Sequence, residues 1–345
     1  QQPALFLMEW PARLINPLTL YKMSSIKLSV YIFFSGFIWG LTGCGNDQQI
    51  TASDKEEFPD ELVKFRPYQN NPVFSGSGAE TWDKKIRERG YILFEDSIYK
   101  MWYTGFNNGL SDQMFLGYAT SRDGINWVRD PANPVFNEKW TEDMFVFKDE
   151  GRYFMYAEGK DDVAHYLTSD DGLRWEEQGD LVIQQVNGDT IPGPYGTPVV
   201  WVENGKWHLF YERMDEGIWL AVSEDRIRWK NLSDEPVIKL GPSAYDAGAV
   251  AANQVIKYKG RYYMYYHASS DPDWAKPGSN ALWSSNVAMS VDLIHWTKYP
   301  LNPIVEGDHS SPILVFDGAQ PRLYAMHNEV WLYFPEKDDI NNHKP

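Results

Sequence analysis

Acidic side chains recur in this chain just ahead of short apolar runs, in surroundings rich in Trp and Tyr. Glu80-Thr-Trp82-Asp83 stands before Tyr91-Ile-Leu-Phe94, and Trp140-Thr-Glu142-Asp143 runs straight into Met-Phe-Val-Phe147. Tyr245-Asp246-Ala-Gly leads toward Asn253-Gln254, and Glu306-Gly-Asp308-His309 precedes Pro-Ile-Leu-Val. Pro194-Tyr195-Gly-Thr-Pro198 takes the same place once without a carboxylate. Carboxyls in opposed pairs can cleave a glycosidic bond: one protonates the leaving oxygen and the other activates water. A third raises the acid's pKa by like-charge proximity. On this reading Asp83 is the general base and Asp246 tunes or positions. Asp143, Asp308 or His309 supplies the proton. Trp82, Trp140 and Tyr195 offer flat rings for a sugar to stack on. Glu158, Glu212 and His267 end neighbouring aromatic runs; Glu212 and His267 join the substrate-binding set with Asp308 and His309. The residues imply no required cofactor, and no Cys or His cluster has zinc-ligand spacing. A structural calcium ion in a central channel is compatible with the acids.

These groups need a scaffold that brings distant segments to one point, and the repeats supply it. A Ser-x-Asp run ending in Trp occurs at Ser121–Trp127, Ser169–Trp175, Ser223–Trp229 and Ser290–Trp296. An aromatic strand after a turn occurs at Tyr99–Tyr103, Tyr153–Tyr156, Trp207–Tyr211, Tyr262–Tyr266 and, more weakly, Arg322–Met326. An Asn-Pro-hydrophobic run occurs at Asn71, Asn133 and Asn302, with Glu235-Pro-Val-Ile238 as a variant. Each unit holds about four strands at the period of a propeller blade. Five aromatic strands predict an all-β, five-bladed β-propeller over residues 66–337. The orphan run at 71–74 predicts that an N-terminal strand completes the last blade and closes the ring, which protects edge strands. The Asp of each Ser-x-Asp run reads as a turn cap, and its Trp as packing between blades.

Aromatics make up 15% of the chain and hydrophobic residues 43%, enough for a large β core. The net charge of −16 gives no basic footprint for nucleic acid. Residues 1–22 read as an upstream extension. Residues 23–43 read as a lipoprotein signal: a basic start, the apolar run Leu28–Leu41, then Leu41-Thr-Gly-Cys44, which looks like a bacterial lipobox. Cys44, the one cysteine, is the expected lipidation site. The expected location is the cell envelope, with a membrane partner through that lipid. Residues 44–65 read as a flexible tether and 338–345 as a polar tail.

The five-blade layout, the Trp-Asp opening, the Glu-Asp-x-Phe-Val-Phe of blade two and the Tyr-Asp-Ala-Gly of blade four resemble the five-bladed glycoside hydrolases. That superfamily includes families 43, 32, 62, 117 and 130. Asp83 matches the base of family 43, whereas Tyr195 and Asp246 depart from its other two acids. Asp83, Asp246 and Asp308-His309 resemble the layout of family 117. The resemblance implies a glycosidase, inverting in mechanism, acting on plant or algal oligosaccharides. Two other functions suit the same residues. One is a non-catalytic sugar-binding surface lipoprotein, which needs the rings but no opposed acids. The other is a polysaccharide lyase using His309 or Tyr195 with Lys84 and Lys85.

Overall fold

The computed structural model describes residues 57–336. The segments expected at 1–22, 23–43 and 338–345, and lipidation at Cys44, lie outside the described residues. The described chain opens with a one-turn helix α1 (Asp60–Val63) and a short strand β1 (Phe65–Pro67). Four antiparallel strands then form blade one: β2 (Lys85–Glu95), β3 (Ile98–Phe106), β4 (Phe115–Ser121) and β5 (Trp127–Arg129). Blade two repeats this with β6 (Glu142–Asp149), β7 (Arg152–Glu158), β8 (Ala164–Ser169) and β9 (Glu176–Asp180). In blade three, β10 (Val182–Gln184) pairs in parallel with the outer strand. The rest of that sheet is β11 (Gly196–Glu203), β12 (Lys206–Glu212), β13 (Gly217–Ser223), β14 (Arg228–Asn231) and β15 (Ile238–Lys239). A short 3₁₀ turn (Ala244–Asp246) leads into blade four: β16 (Ala249–Tyr258), β17 (Arg261–Ser269), β18 (Trp283–Ser290) and β19 (Trp296–Lys298).

Blade five has only three strands of its own: β20 (Pro312–Phe316), β21 (Pro321–Met326) and β22 (Val330–Pro335). Its fourth is β1, antiparallel to β22, and Phe74 adds a bridge to Val330. The ring is closed by an N-terminal strand, as the repeats predict. The closing strand lies a few residues upstream of the Asn-Pro run.

Each repeat motif has a physical job. The Asn of Asn71, Asn133 and Asn302 uses its side-chain amide to bond both the N–H and the C=O of one residue in a third strand: Leu332, Tyr118 and Val287. The Asp of each Ser-x-Asp run accepts two backbone N–H groups, as Asp123 does from Ile125 and Asn126. Its Trp wedges against the second strand of the preceding blade. Trp175 meets Trp102, Trp229 meets Tyr156, Trp296 meets Phe210, and Trp127 meets Tyr324 across the closure.

Blade five has no such Trp. Phe58, Leu62 and Val63 fill that wedge, all buried. Phe58 packs on Tyr263 of blade four, while Tyr263 and Tyr265 donate hydroxyl hydrogens to the Glu57 and Leu62 carbonyls. The tether expected over 44–65 is corrected for residues 57–65, which are built into the blade because they replace a missing structural Trp.

Candidate active site

The five innermost strands β2, β6, β11, β16 and β20 converge on the propeller axis. Four are interrupted near their starts by a β-bulge: between Arg87 and Tyr91, Glu142 and Phe145, Gly196 and Val199, and Ala252 and Gln254. A bulge turns a side chain out of the ladder, and bulges collect beside active sites. Glu88, Asp143 and Thr197 take left-handed φ values of 42°, 46° and 45°. Such strain in non-glycine residues is a mark of functional positions.

Arg89 floors the channel. Its fully buried guanidinium donates to the carbonyls of Asp143 in blade two, Pro198 in blade three and Ala252 and Asn253 in blade four. Its own N–H donates to Asp143 Oδ1 at 3.0 Å. Gln254 ties blade four to blade five through both the N–H and the C=O of Leu314. The axis is thus plugged at this level by buried side chains.

Above this floor stands a wall of acids from blades one to three. Glu142, Asp143, Glu158, Glu212 and Asp215 are all buried, and Glu88 and Asp162 complete the group. Thr197 N–H donates to Glu158 at 2.9 Å and Asp215 N–H to Glu212 at 2.6 Å. Gly196 separates those two acids. A Cβ there would sit 2.1 Å from a Glu158 oxygen and 2.6 Å from a Glu212 oxygen, so only glycine allows the approach. Imidazoles face this wall from the other blades. Buried His267 meets Asn253 Nδ2 at 3.1 Å, and His327 meets Ser310 Oγ at 3.1 Å.

Burial and mutual repulsion set the protonation states. Burial, with the nearby Glu88 charge, pushes the Asp143 carboxyl well up. Burial and the Asp143 charge do the same to Glu158. Burial pushes Glu142 and Glu212 up to about 7. Burial also pushes the Glu88 carboxyl up, but the Arg87 guanidinium, 2.9 Å away, outweighs it and holds the carboxyl below the usual carboxylate range. Burial drives His267 down to about 3, so that ring is neutral. The site therefore sets one carboxyl shifted down against several shifted up. That split is the signature of paired acid and base roles.

The positions named from sequence divide. Asp143, Glu212 and His267 sit in this site. Trp140 borders it, donating Nε1–H to Glu142 at 2.6 Å. Asp308 reaches it from blade five, with its carboxylate 3.8 Å from His327 Nε2.

Asp83 and Asp246 do not belong to the acid wall, which corrects their catalytic reading. Each precedes an inner strand and pairs with a cation two residues past the outer-strand Trp. Asp83 binds Arg129 at 2.7 Å, and Asp246 binds Lys298. Blade two uses the same clasp with the signs exchanged, Lys139 to Glu177 at 2.8 Å. Thr81 and Tyr103 also donate to Asp83. These are staples between the lead-in and the outer strand.

The sugar-platform reading is corrected for two rings. Tyr195 is buried, with its hydroxyl on the Leu181 carbonyl. Trp82 stacks on Tyr103 over Gly105, where a Cβ would clash. His309 packs on Trp331, 4.1 Å between centroids. His327 takes the place expected of His309. Glu88, Arg89 and His327 were missed. A bulge leaves no mark on apolar periodicity, and blade five carries the weakest aromatic repeat. Among the described residues, no group of three His, Cys, Asp or Glu is placed to hold a metal ion.

No family model matches the chain. It is 26% identical to the 1,2-beta-oligomannan phosphorylase of a Thermoanaerobacter species over 61% of this chain and 73% of that protein. Its fold matches a putative glycoside hydrolase from Parabacteroides distasonis with a TM-score of 0.65 at 18% identity, covering 80% of this chain and 97% of the other. It also matches a structure from a study of how the GH130 family of mannoside phosphorylases contains glycoside hydrolases that target β-1,2 mannosidic linkages in Candida mannan. There the TM-score is 0.61 at 16% identity, over 79% of this chain and 93% of the other. The chain is a five-bladed β-propeller related to glycoside-processing enzymes.

Proposed function

We propose that the chain hydrolyses the terminal glycosidic bond of neutral oligosaccharides, with β-1,2-linked mannosides as the first class to test. The observation that carries this reading is the acid wall, in which Arg87 holds the Glu88 carboxyl below the usual carboxylate range while burial raises Asp143 and its neighbours. Asp143 is the general acid: its carboxyl, seated by the Arg89 N–H, gives its proton to the leaving oxygen. Glu88 is the general base that takes a proton from water as the oxygen attacks the anomeric carbon. Asn253 Oδ1 is a buried acceptor without a hydrogen bond in the protein, available to a sugar hydroxyl. The Arg89 floor plugs the axis, which favours a chain end over an internal bond.

The mannoside class comes from the relatives' names. The acceptor comes from the charges. A phosphate dianion needs cations around it. Here seven carboxyls face Arg87 and Arg89. Arg87 is committed to Glu88 and Glu142, and Arg89 to backbone carbonyls. This favours water over phosphate.

The proposal is tested by Asp143→Asn and Glu88→Gln on β-1,2-mannooligosaccharides. Each should lose roughly 10²–10⁴-fold in kcat, the share general acid–base catalysis supplies. Retention of full activity in both variants would overturn it. Export by a lipid on Cys44 is part of the same proposal: labelling with a radioactive fatty acid should be lost in Cys44→Ala.

A further inference from the structure

Beside the acid wall, blade two carries an open groove of about 480 Å³, within the size range of small-ligand sites. Trp140 forms its inner edge and holds Glu142 by its indole N–H. The opposite lip is the loop 159–163, which follows Glu158 directly and closes on itself through Gly159 N–H to Val163 O at 3.0 Å. Asp161 and Asp162 take φ values of 61° and 53° in that loop. The turn puts Asp162 within the field of the carboxyl cluster and Lys160 on the groove. Gln113, between β3 and β4 of blade one, lines the far wall. Lys139 also lines the groove but is held by Glu177 and Asp180. Lys160 has no ion pair among the described residues.

The acid wall and the groove meet at Trp140, which holds Glu142, the residue before the general acid. The bond to be cut is protonated on its leaving oxygen, so a groove beside the general acid is placed to take the sugars beyond that oxygen. We propose that the groove along blade two holds the leaving-group part of the oligosaccharide, with Trp140 as stacking face and Lys160 as donor to sugar hydroxyls, and so sets a preference for chain length. An indole face suits the C–H face of a pyranose. A lone ammonium beside Asp161 donates to neutral hydroxyls without building an anion site. The assignment rests on the functional reading above for the direction of cleavage.

The test is titration calorimetry of Asp143→Asn, which keeps the sugar intact, with β-1,2-mannobiose, -triose and -tetraose. Affinity is expected to rise with each added sugar. Adding Lys160→Ala should weaken the tetraose about tenfold while moving the biose less than twofold. Equal affinity for all lengths, no binding at any length, or an equal loss across lengths would overturn the groove assignment. Length-dependent binding with no cleavage by the wild type would sink the hydrolase reading and leave the groove standing.

Discussion

Replacing Asp83 and replacing Asp143 should produce opposite phenotypes. Asp83 is almost fully buried at 3% exposure and carries three side-chain partners, Arg129, Thr81 and Tyr103. Breaking a buried pair costs about 3–5 kcal/mol when the remaining charge is stranded. Arg129 is one-third exposed and can turn to water, so the cost falls to about 2 kcal/mol. For a domain of this size that lowers Tm by about 3–4 °C. Asp83→Ala should therefore melt early yet keep kcat within about threefold, because the acid wall is untouched. Asp143→Asn keeps the shape and the acceptor for the Arg89 N–H, so Tm should move by less than 2 °C or so, within the range of mild substitutions, while kcat collapses. Differential scanning fluorimetry beside initial rates on one β-1,2-mannoside reads both. A large kcat loss in Asp83→Ala at unchanged Tm would refute the placement of Asp83 in a structural clasp.

Glu212 has a folded-state pKa raised to about 7 by burial. The folded form thus prefers the protonated acid, and its penalty builds between the ordinary carboxylate range and 7. Glu212→Gln should stabilise the protein at pH 8, by up to about 3 kcal/mol, and change little at pH 4; urea midpoints at the two pH values check this. Burial raises Asp143, the general acid that must stay protonated for catalysis, and pushes Glu142 beside it up to about 7, so ionising Glu142 sets a charge against the acid. kcat/KM should therefore fall as pH rises past about 7, and a profile still rising at pH 9 would contradict the acid assignment. Phe58→Ala removes the wedge that stands in for blade five's missing Trp, and should cost about 3–5 kcal/mol, read as a shift in the denaturation midpoint.

The fold was legible because its determinants repeat. Ser-x-Asp…Trp, Asn-Pro and the aromatic strand each recur, and each does the same job in every blade that has it. The site was legible only in part, because catalysis needs departures from the repeat. Asp143 was found because Glu142-Asp143 abuts its strand. Glu88 and Arg89 lie inside what reads as an ordinary charged lead-in, Lys84 to Gly90. Only the bulge in pairing, a tertiary feature, turns Glu88 upward and Arg89 into the axis. Asp83 and Asp246 misled for a related reason. They do recur at equivalent places, but the recurrence reflects a shared clasp to the outer strand, with sign reversed at Lys139 and Glu177. Phe58 and Leu62 escaped notice since their wedge belongs to a blade whose other strands lie at the far end of the chain.

The central claim is that an acid-lined pocket uses water to release a terminal neutral sugar. Its most direct test is product analysis on β-1,2-mannotriose incubated with the wild-type protein, with and without 10 mM-scale inorganic phosphate, an ion such a pocket should repel. The account predicts free mannose in both cases at the same rate, and none from Asp143→Asn. Formation of mannose 1-phosphate, with turnover only when phosphate is present, would contradict it.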